Sequence, residues 1–377
     1  MIGGDEAQGG RPVAHSARDL ANRIWRAQVE SSGQDMSRLP SERDLSRLHG
    51  VPRKVVSKAI AVLEGDGLVV RLPRSGTFVR RSAVEEAEAL ESLRCINFVE
   101  APAFASEHMQ WIVQDYLAGY TEALEHREIK TRFQICTDDR RDYESLLWPR
   151  LPLRAQGVVL VNRRTPALLN WLRERGVPFV LQCPYHYDTA GLPEHHKVYV
   201  NKAGGAFDGT RHLLALGHRR IGFLGEVPGG TGATPVYEGY LAALRCAGLS
   251  PEPDAVARLF SDDPSFDIRP IVAYLKNPAR PTAVVTGNDY TALAVLQAAR
   301  RLGIEVPRDL SVVGMNDQAE ARRSDPPLTT VAIPRRRFAR AAVETLLAAA
   351  EGKAEGWQTR ILDCKLVAQG TTSAPAR

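Results

Sequence analysis

Residues 39–79 read LPSERDLSRLHGVPRKVVSKAIAVLEGDGLVVRLPRSGTFV and contain, in order, a helix start, a tight turn, a second helix and a hairpin. Ser41 is a preferred N-cap residue, and Asp44 three positions later is an acidic approximation of a capping box. A short first helix is therefore predicted to begin after Ser41. Leu45 and Leu48 are spaced as i and i+3, so we expect both side chains to face the core.

A second helix is predicted over residues 53–64, where apolar residues recur at helical spacing until glycines end the pattern. Apolar runs at 68–70 and 77–79 flank a turn that contains proline and glycine, which indicates a small hairpin. Two helices joined by a tight turn and followed by a hairpin form a winged helix-turn-helix. In that motif the second helix enters the major groove of DNA with its N-terminal residues leading.

The charge of the chain is concentrated in the same region. Residues 38–81 contain ten Lys or Arg against four Asp or Glu, a net charge of +6 (10 − 4), whereas the whole chain carries +5. The remaining residues therefore sum to −1 (5 − 6). A compact basic segment attached to a nearly neutral body is typical of a DNA-binding module, since lysine and arginine neutralise phosphates.

Along its full length, the 39–79 segment resembles the GntR family of regulators, with the LPSER entry, the helix pair and the GTFV wing in order. The resemblance implies DNA contacts at Arg43, Arg53, Lys54 and Gly76. Two positions depart from the family, which usually has threonine at 55 and arginine at 57. The predicted DNA-binding residues are Arg43, Arg53, Lys54, Val55, Ser57, Lys58, Arg74 and Gly76.

From Cys95 onwards, short apolar runs alternate with segments of helical periodicity. Alternating strands and helices predict an α/β fold with parallel sheets covered by helices. Such sheets bind ligands at the carboxyl ends of their strands, where the strand order switches. The strand-like runs lie at residues 95–99, 133–136, 157–161, 178–181, 221–224, 283–286 and 310–313.

The second half of the chain resembles the LacI/GalR family. The motifs are LLALGHRRIGFLG at 213–225, GYLAAL at 239–244, ND at 288–289, IEVPRDLSVVG at 304–314 and PLTTV at 327–331. This resemblance implies the periplasmic-binding-protein fold of type I, in which two α/β lobes are crossed by three strands and close on a small molecule. The predicted domains are a winged helix-turn-helix (1–80), a linker (81–94) and an effector-binding domain (95–377), whose lobes are 95–203 with 334–355 and 204–333 with 356–373.

The effector site is expected between these lobes, where amide side chains and aromatic rings would hydrogen-bond and stack on a sugar. The family often has an arginine three residues before the Gly-Tyr pair, but this chain has Val236 there. The effector class is therefore less constrained than the fold, and a nucleoside or an amino acid is the alternative to a sugar. The predicted effector-binding residues are Glu100, Phe104, Gln182, Phe266, Asn288 and Asn316.

Other signals are weaker. Histidines 186, 195 and 196 with Cys183 match no standard metal spacing, and we interpret them as a solvated or pocket-edge loop. We interpret residues 335–337, RRR, as a solvated helix start. The glycine-rich segment 228–232 lacks the lysine of a phosphate-binding loop, and no catalytic constellation stands out. We therefore expect no metal, no cofactor and no catalytic residue.

The N-terminus is polar and unlike a signal peptide, no run approaches the length of a membrane helix, and the five cysteines are scattered. These features predict a cytoplasmic protein without a membrane partner. We expect a homodimeric, ligand-responsive regulator that represses transcription from a double-stranded operator, with an activator as the alternative. A pyridoxal-phosphate enzyme fused to a winged helix would need a longer chain and a Schiff-base lysine. A transport binding protein would need neither the basic winged helix-turn-helix nor a cytoplasmic location.

Overall fold

The chain divides into two compact units, residues 1–92 with 148–155 and residues 93–147 with 156–377. No helix in the described part of the chain is both long enough and apolar enough to cross a membrane. The computed structural model describes residues 17, 20, 21, 23–25, 27, 37–65, 68–73, 75–79, 93–100, 110–135, 143–148, 151, 153–162, 165–184, 192–227, 235–259 and 267–376.

The N-terminal unit contains the predicted winged helix-turn-helix, the head of the protein, whose helices and hairpin lie within residues 42–79. Its elements are α1 (Glu42–His49), α2 (Arg53–Gly65), β1 (Val69–Leu72) and β2 (Gly76–Val79). The two strands pair antiparallel, in register from Val69 opposite Val79 to Leu72 opposite Gly76. Helices and hairpin enclose a small apolar core, to which α2 contributes Val56, Ile60 and Leu63.

Local sequence explains where α1 begins and ends. The Ser41 hydroxyl oxygen accepts a hydrogen bond from the main-chain N–H of Asp44 at 3.2 Å and donates to the Asp44 carboxylate at 2.6 Å. At the other end Gly50 has φ +65°, a left-handed conformation that favours glycine, and its N–H donates to the carbonyl of Ser46. This cap turns the chain sharply towards α2.

The prediction for Leu48 was wrong. Leu45 is buried, as expected, but the side chain of Leu48 is 70% exposed. An eight-residue helix packed on one side buries only a narrow stripe, and Leu48 falls outside it.

The larger unit is built from two six-stranded sheets, as the α/β prediction required. Its first elements are β3 (Cys95–Glu100), α3 (Gln110–Leu124), β4 (Lys130–Ile135), β5 (Gln156–Val161), α4 (Pro166–Glu174), β6 (Phe179–Cys183), β7 (His196–Asn201), α5 (Lys202–Ala215), β8 (Ile221–Leu224) and α6 (Pro235–Cys246). The remainder are β9 (Val256–Ala257), α7 (Arg269–Leu275), β10 (Ala283–Thr286), α8 (Asp289–Leu302), β11 (Ser311–Asn316), α9 (Ala319–Arg323), β12 (Thr329–Ala332), α10 (Arg335–Ala350), β13 (Thr359–Asp363) and β14 (Lys365–Val367).

Each sheet forms one lobe. The first lobe has the order β13-β7-β6-β5-β3-β4, with every pair parallel. The second lobe has the order β14-β12-β11-β10-β8-β9, and only β14 runs antiparallel to its neighbour. In both sheets the strand order reverses beside the first strand, between β3 and β5 and between β8 and β10. Ligands of such sheets bind at the carboxyl ends of the strands flanking this reversal.

Three connections join the lobes. Strand β7 of the first sheet leads into α5, which packs on α6 in the second lobe, and β12 of the second sheet leads into α10, which packs on α3 in the first. The third connection is β13 to β14, which belong to different sheets although only Cys364 separates them. The prediction places residues 356–373 in the second lobe, whereas β13 pairs with β7 of the first.

The lobes share a repeated helix contact that we did not predict. Gly119-Tyr120 in α3 and Gly239-Tyr240 in α6 occupy equivalent places after the first strand of each sheet. A Cβ atom at either glycine would collide with a main-chain carbonyl oxygen, that of Arg336 or that of Ala203. Both helices therefore approach the helix that follows a lobe crossing at a distance that only glycine allows.

Candidate nucleic-acid interface and effector cleft

Five of the eight residues predicted to bind DNA lie on α2. Arg53, Lys54 and Lys58 are exposed on α2, and Arg43 is exposed on α1. Within the described residues, none of these four side chains forms an ion pair. Arg74 lies outside the described residues.

The cations at the start of α2 do not stabilise the helix. A helix N-terminus carries a partial positive charge, so nearby cations are unfavourable and anions favourable. The first turn of α2 contains Arg53 and Lys54 and no acidic residue. A phosphate bound there would be attracted both by the helix dipole and by the two side chains.

The two positions that depart from the GntR pattern are less accessible. Val55 is half-buried and packs against the apolar core of the head. Ser57 is also half-buried, and its carbonyl oxygen accepts a hydrogen bond from Arg71 Nη2 at 3.4 Å. Arg71 in turn pairs with Glu64 at 3.3 Å, so it ties the wing to α2.

In the wing, Gly76 has φ +117°, and a Cβ atom there would lie 2.7 Å from Nε of Arg38. The glycine therefore lets the exposed Arg38 side chain cross the hairpin. Residues 37–39 extend that hairpin: the N–H of Leu39 donates to Thr77 at 2.9 Å, and the N–H of Val79 donates to Ser37 at 3.0 Å. The position of Arg38 across the hairpin was not predicted from the sequence, although this residue begins the basic segment.

In the effector unit, Glu100 and Asn288 lie where the strand order reverses. Glu100 ends β3, is half-buried, and has a pKa raised by desolvation. Asn288 follows β10 and caps α8, since its side-chain oxygen accepts from the N–H of Thr291 at 2.9 Å. Both therefore lie at the edge where the fold places its ligand site.

Gln182, a predicted effector contact, lies on β6 in the first lobe. Its side chain is fully buried, and Oε1 accepts a hydrogen bond from the Tyr120 hydroxyl at 2.9 Å. Burial raises the pKa of Tyr120 well above its usual value, so this hydroxyl stays protonated and donates. Phe104 and Phe266, the two predicted aromatic contacts, lie outside the described residues.

Asn316 ends β11 and begins a loop with an unusual backbone. Asn316 has φ +115° and Asp317 has φ +57°, so two successive residues other than glycine are in the left-handed region. Each such residue costs about 1 kcal/mol or more and persists only where its surroundings hold it. The Asp317 carboxylate accepts two hydrogen bonds from Arg322, at 2.9 and 2.7 Å.

Beneath this loop lies a buried carboxyl group that we did not predict. Asp289 accepts hydrogen bonds from the Thr330 hydroxyl at 2.6 Å and the N–H of Gln318 at 2.7 Å. Burial outweighs these bonds and raises the pKa of Asp289 to about 7. The group thus anchors the β11–α9 loop to α8 and β12.

Two interpretations of the sequence need correction. Arg335 is buried, not solvated, because it lies where the chain crosses between the lobes. His195 and His196 are also buried, and His196 begins β7 instead of lying in a loop. Among the described residues, no group of three or more His, Cys, Asp or Glu could hold a metal ion, while His186 lies outside them.

Val236 lies in α6 and is buried in the apolar core of the second lobe with Phe223 and Tyr240. The position at which the LacI/GalR resemblance implies an arginine is therefore occupied by a core residue.

Comparison with known proteins finds family matches for both the winged helix-turn-helix and the larger unit. Residues 17–79 match the family described as "Bacterial regulatory proteins, gntR family", and residues 210–372 match the "Periplasmic binding protein-like domain". The chain is 25% identical to the arabinose metabolism transcriptional repressor of Halalkalibacterium halodurans over 352 residues, covering 89% of this chain and 91% of that one.

Other relatives match a large part of the chain. The HTH-type transcriptional repressor PurR of Yersinia pestis is 30% identical over 71% of this chain and 75% of its own. CytR of Escherichia coli is 32% identical over 58% of this chain, and the match spans 63% of CytR's length. A LacI family transcriptional regulator from Mycobacterium smegmatis superimposes with a TM-score of 0.55 and 26% identity, over 74% of this chain and 99% of that one. The chain therefore belongs to the LacI/GalR family and carries at its N-terminal end the winged helix-turn-helix of the GntR family.

Proposed function

We propose that this protein is a ligand-responsive transcriptional repressor that binds operator DNA through α2 and the wing. The observation that carries the proposal is the pair of exposed cations, Arg53 and Lys54, on the first turn of α2. Their charges are unfavourable next to the positive end of the helix dipole, and contact with a DNA phosphate or base would offset that cost. The named relatives are transcriptional repressors, which favours repression over activation.

The effector proposed for the cleft is a sugar or a sugar derivative. The carboxyl of Glu100 and the amide of Asn316 offer hydrogen-bonding groups of the kind that bind hydroxyls, and both lie at carboxyl ends of strands. A relative named for arabinose metabolism matches almost the whole chain. Asn288, Phe104 and Phe266 remain proposed contacts. A nucleoside or an amino acid is the alternative, because Val236 removes the family's arginine.

This function needs no catalytic residue and no cofactor, and we propose that the protein acts in the cytoplasm, where operator DNA is available. An enzyme fused to a winged helix receives no support from the two-lobed fold, whose named relatives regulate transcription.

The proposed function is tested by selecting bound fragments from a randomised DNA pool and then titrating the selected duplex at several salt concentrations. The logarithm of the binding constant should fall linearly with the logarithm of salt concentration, with a slope of about −0.9 for each phosphate contact. Pentoses, hexoses, nucleosides and amino acids are then screened by thermal unfolding, since a ligand of the folded state raises the midpoint. Salt-independent binding, or no selected sequence, would contradict the proposal.

We also propose a homodimer held by the larger units, because a two-fold operator requires two heads. The β4 edge of the first lobe exposes apolar side chains: Phe133 is 45% and Ile135 is 52% exposed, and Leu117 on α3 is also exposed. Phe133 stacks on Phe98 at 4.7 Å between ring centroids, so it is held in place before any partner binds. A second copy of the chain would cover this apolar edge.

Replacing Phe133 with Asp should weaken dimerisation at least tenfold, because one charge would then be buried in each half of the interface. Sedimentation velocity over a concentration series measures the effect. Ile361→Asp is the matched control, since Ile361 is also exposed, at 57%, but lies on β13, the opposite edge of the same sheet. If the Phe133 variant dimerises like the wild type, this edge is not the interface.

A further inference from the structure

The side chain of Arg335 lies between the two lobes. It is the first residue of α10, directly after the chain leaves the second sheet at β12, and only 7% of it is exposed. Nη2 donates a hydrogen bond to the main-chain carbonyl oxygen of Asn316 in the second lobe. Nη1 lies 3.5 Å from Oδ2 of Asp115 on α3 in the first lobe. One guanidinium thus contacts both lobes.

Both contacts lie on the side of the molecule where the effector site is expected. Asn316 is the last residue of β11, and Asp115 lies in the helix that follows β3. The carboxyl ends of these strands face the cleft in a fold of this kind. Arg335 therefore joins a cleft loop of one lobe to the first helix of the other.

The charges around Arg335 come from both lobes as well. Burial disfavours its cation and lowers its pKa, while Asp115 in the first lobe and Asp289 and Asp317 in the second oppose that effect. A buried cation needs such partners, because removing one leaves an uncompensated charge. The buried cation of Arg335 is therefore stabilised only while both lobes hold their carboxylates close to it.

Several hydrogen bonds hold the loop that Arg335 contacts. Besides the Arg335 bond to Asn316 and the two Arg322 bonds to the Asp317 carboxylate, the N–H of Asp317 donates to Thr330 at 3.4 Å, and the N–H of Gln318 donates to Asp289 at 2.7 Å. With two left-handed residues in succession, the loop depends on these bonds to keep its conformation.

We propose that Arg335 is a positioning residue that couples the effector loop Asn316–Gln318 to α3 of the first lobe through Asp115. The proposal rests on the proposed function, since it names how a ligand at Asn316 would change the relation between the lobes. A ligand that moves the loop breaks or strengthens the Arg335 bond, and the change reaches α3 through the Asp115 pair. Such coupling shifts a population only if the ligand prefers one arrangement.

Hydrogen exchange in the full-length protein, without DNA or effector, tests the coupling. In Asp115→Asn, a substitution confined to the first lobe, the amides of Asp317 and Gln318 in the second lobe should exchange about tenfold faster, because Arg335 loses a charged partner. Arg335→Gln should produce the same or a larger increase, and Arg335→Lys an intermediate one. The half-exposed position of Asp115 makes its variant the one expected to fold without difficulty.

Arg336→Gln is the matched control. Arg336 pairs with Glu122 and joins the same two helices, α10 and α3, but this pair lies wholly in the first lobe. Its loss should leave the exchange of residues 317–318 unchanged. Unaltered exchange in Asp115→Asn, or an equal rise in the Arg336 variant, would overturn the proposal. Because the assay contains neither operator nor effector, its failure is distinct from failure of the repressor function.

Discussion

Alanine at Gly239 is expected to lower the free energy of unfolding of the second lobe by about 3 kcal/mol, the upper part of the range for overpacked cores. The added Cβ would overlap the carbonyl oxygen of Ala203, lie 2.9 Å from the carbonyl carbon, and lie 3.0 Å from Cβ of Ala206. Two of these three atoms are main chain, so α5 and α6 must separate. Denaturant unfolding followed by circular dichroism measures the change.

The control for this prediction is Gly65→Ala at the end of α2, where a Cβ would meet no atom within 4 Å. It should change stability by no more than about 0.5 kcal/mol. Gly119→Ala should destabilise the first lobe in the same way, because its Cβ would meet the carbonyl of Arg336 and Cβ of Ala339. A Gly239 variant as stable as the wild type would show that the helices can move apart at little cost.

Replacing Arg53 with Ala is expected to weaken binding to the selected DNA by about 1–3 kcal/mol, roughly 5- to 150-fold, if its guanidinium contacts a base. Stability of the head should not fall with affinity, because removing a cation from a helix N-terminus is favourable by a few tenths of a kcal/mol or more. Fluorescence anisotropy with a labelled duplex measures affinity, and thermal unfolding measures stability. Opposite signs in the two measurements would separate DNA contact from loss of structure.

Two comparisons sharpen the Arg53 experiment. Lys54→Ala should weaken binding about equally for selected and scrambled duplexes and reduce the salt slope by about one, as expected of a phosphate contact. Arg269→Ala removes another exposed cation, which lies in the second lobe and pairs with Asp267, and should leave DNA binding unchanged. An Arg53 variant that binds selected DNA like the wild type would remove this residue from the interface.

The head was predictable to a large extent because its signals are local. The cap at Ser41, the glycine turn at Gly50 and the hairpin register each depend on residues within a few positions of one another. Leu48 shows where local periodicity fails, since a three-residue spacing cannot tell which side of a short helix its neighbours cover. Arg38 shows the same limit, because only strand pairing brings it across Gly76.

In the effector unit, the repeated Gly-Tyr pair was visible in the sequence and could have predicted two equivalent helix contacts. The placement of Gln182 was not accessible in this way. The sequence places Gln182 near the end of a buried strand, but its hydrogen bond from the hydroxyl of Tyr120, 62 positions away, is visible only in the fold. Strand β13 was misassigned for a related reason, since a one-residue crossing between sheets leaves no compositional boundary.

The basic winged helix-turn-helix and the parallel α/β character of the larger unit can be predicted from the sequence, because capping, hydrophobic periodicity and charge act over short distances along the chain. The position of Arg335 depends instead on contacts between distant segments. In the sequence it is the first of three arginines and resembles a solvated helix start. In the fold it is the first residue after a crossing between lobes, and a cation there is enclosed by carboxylates from segments more than 200 residues apart in the chain. Burial and charge pairing depend on which segments meet, and that is settled only when both sheets have formed.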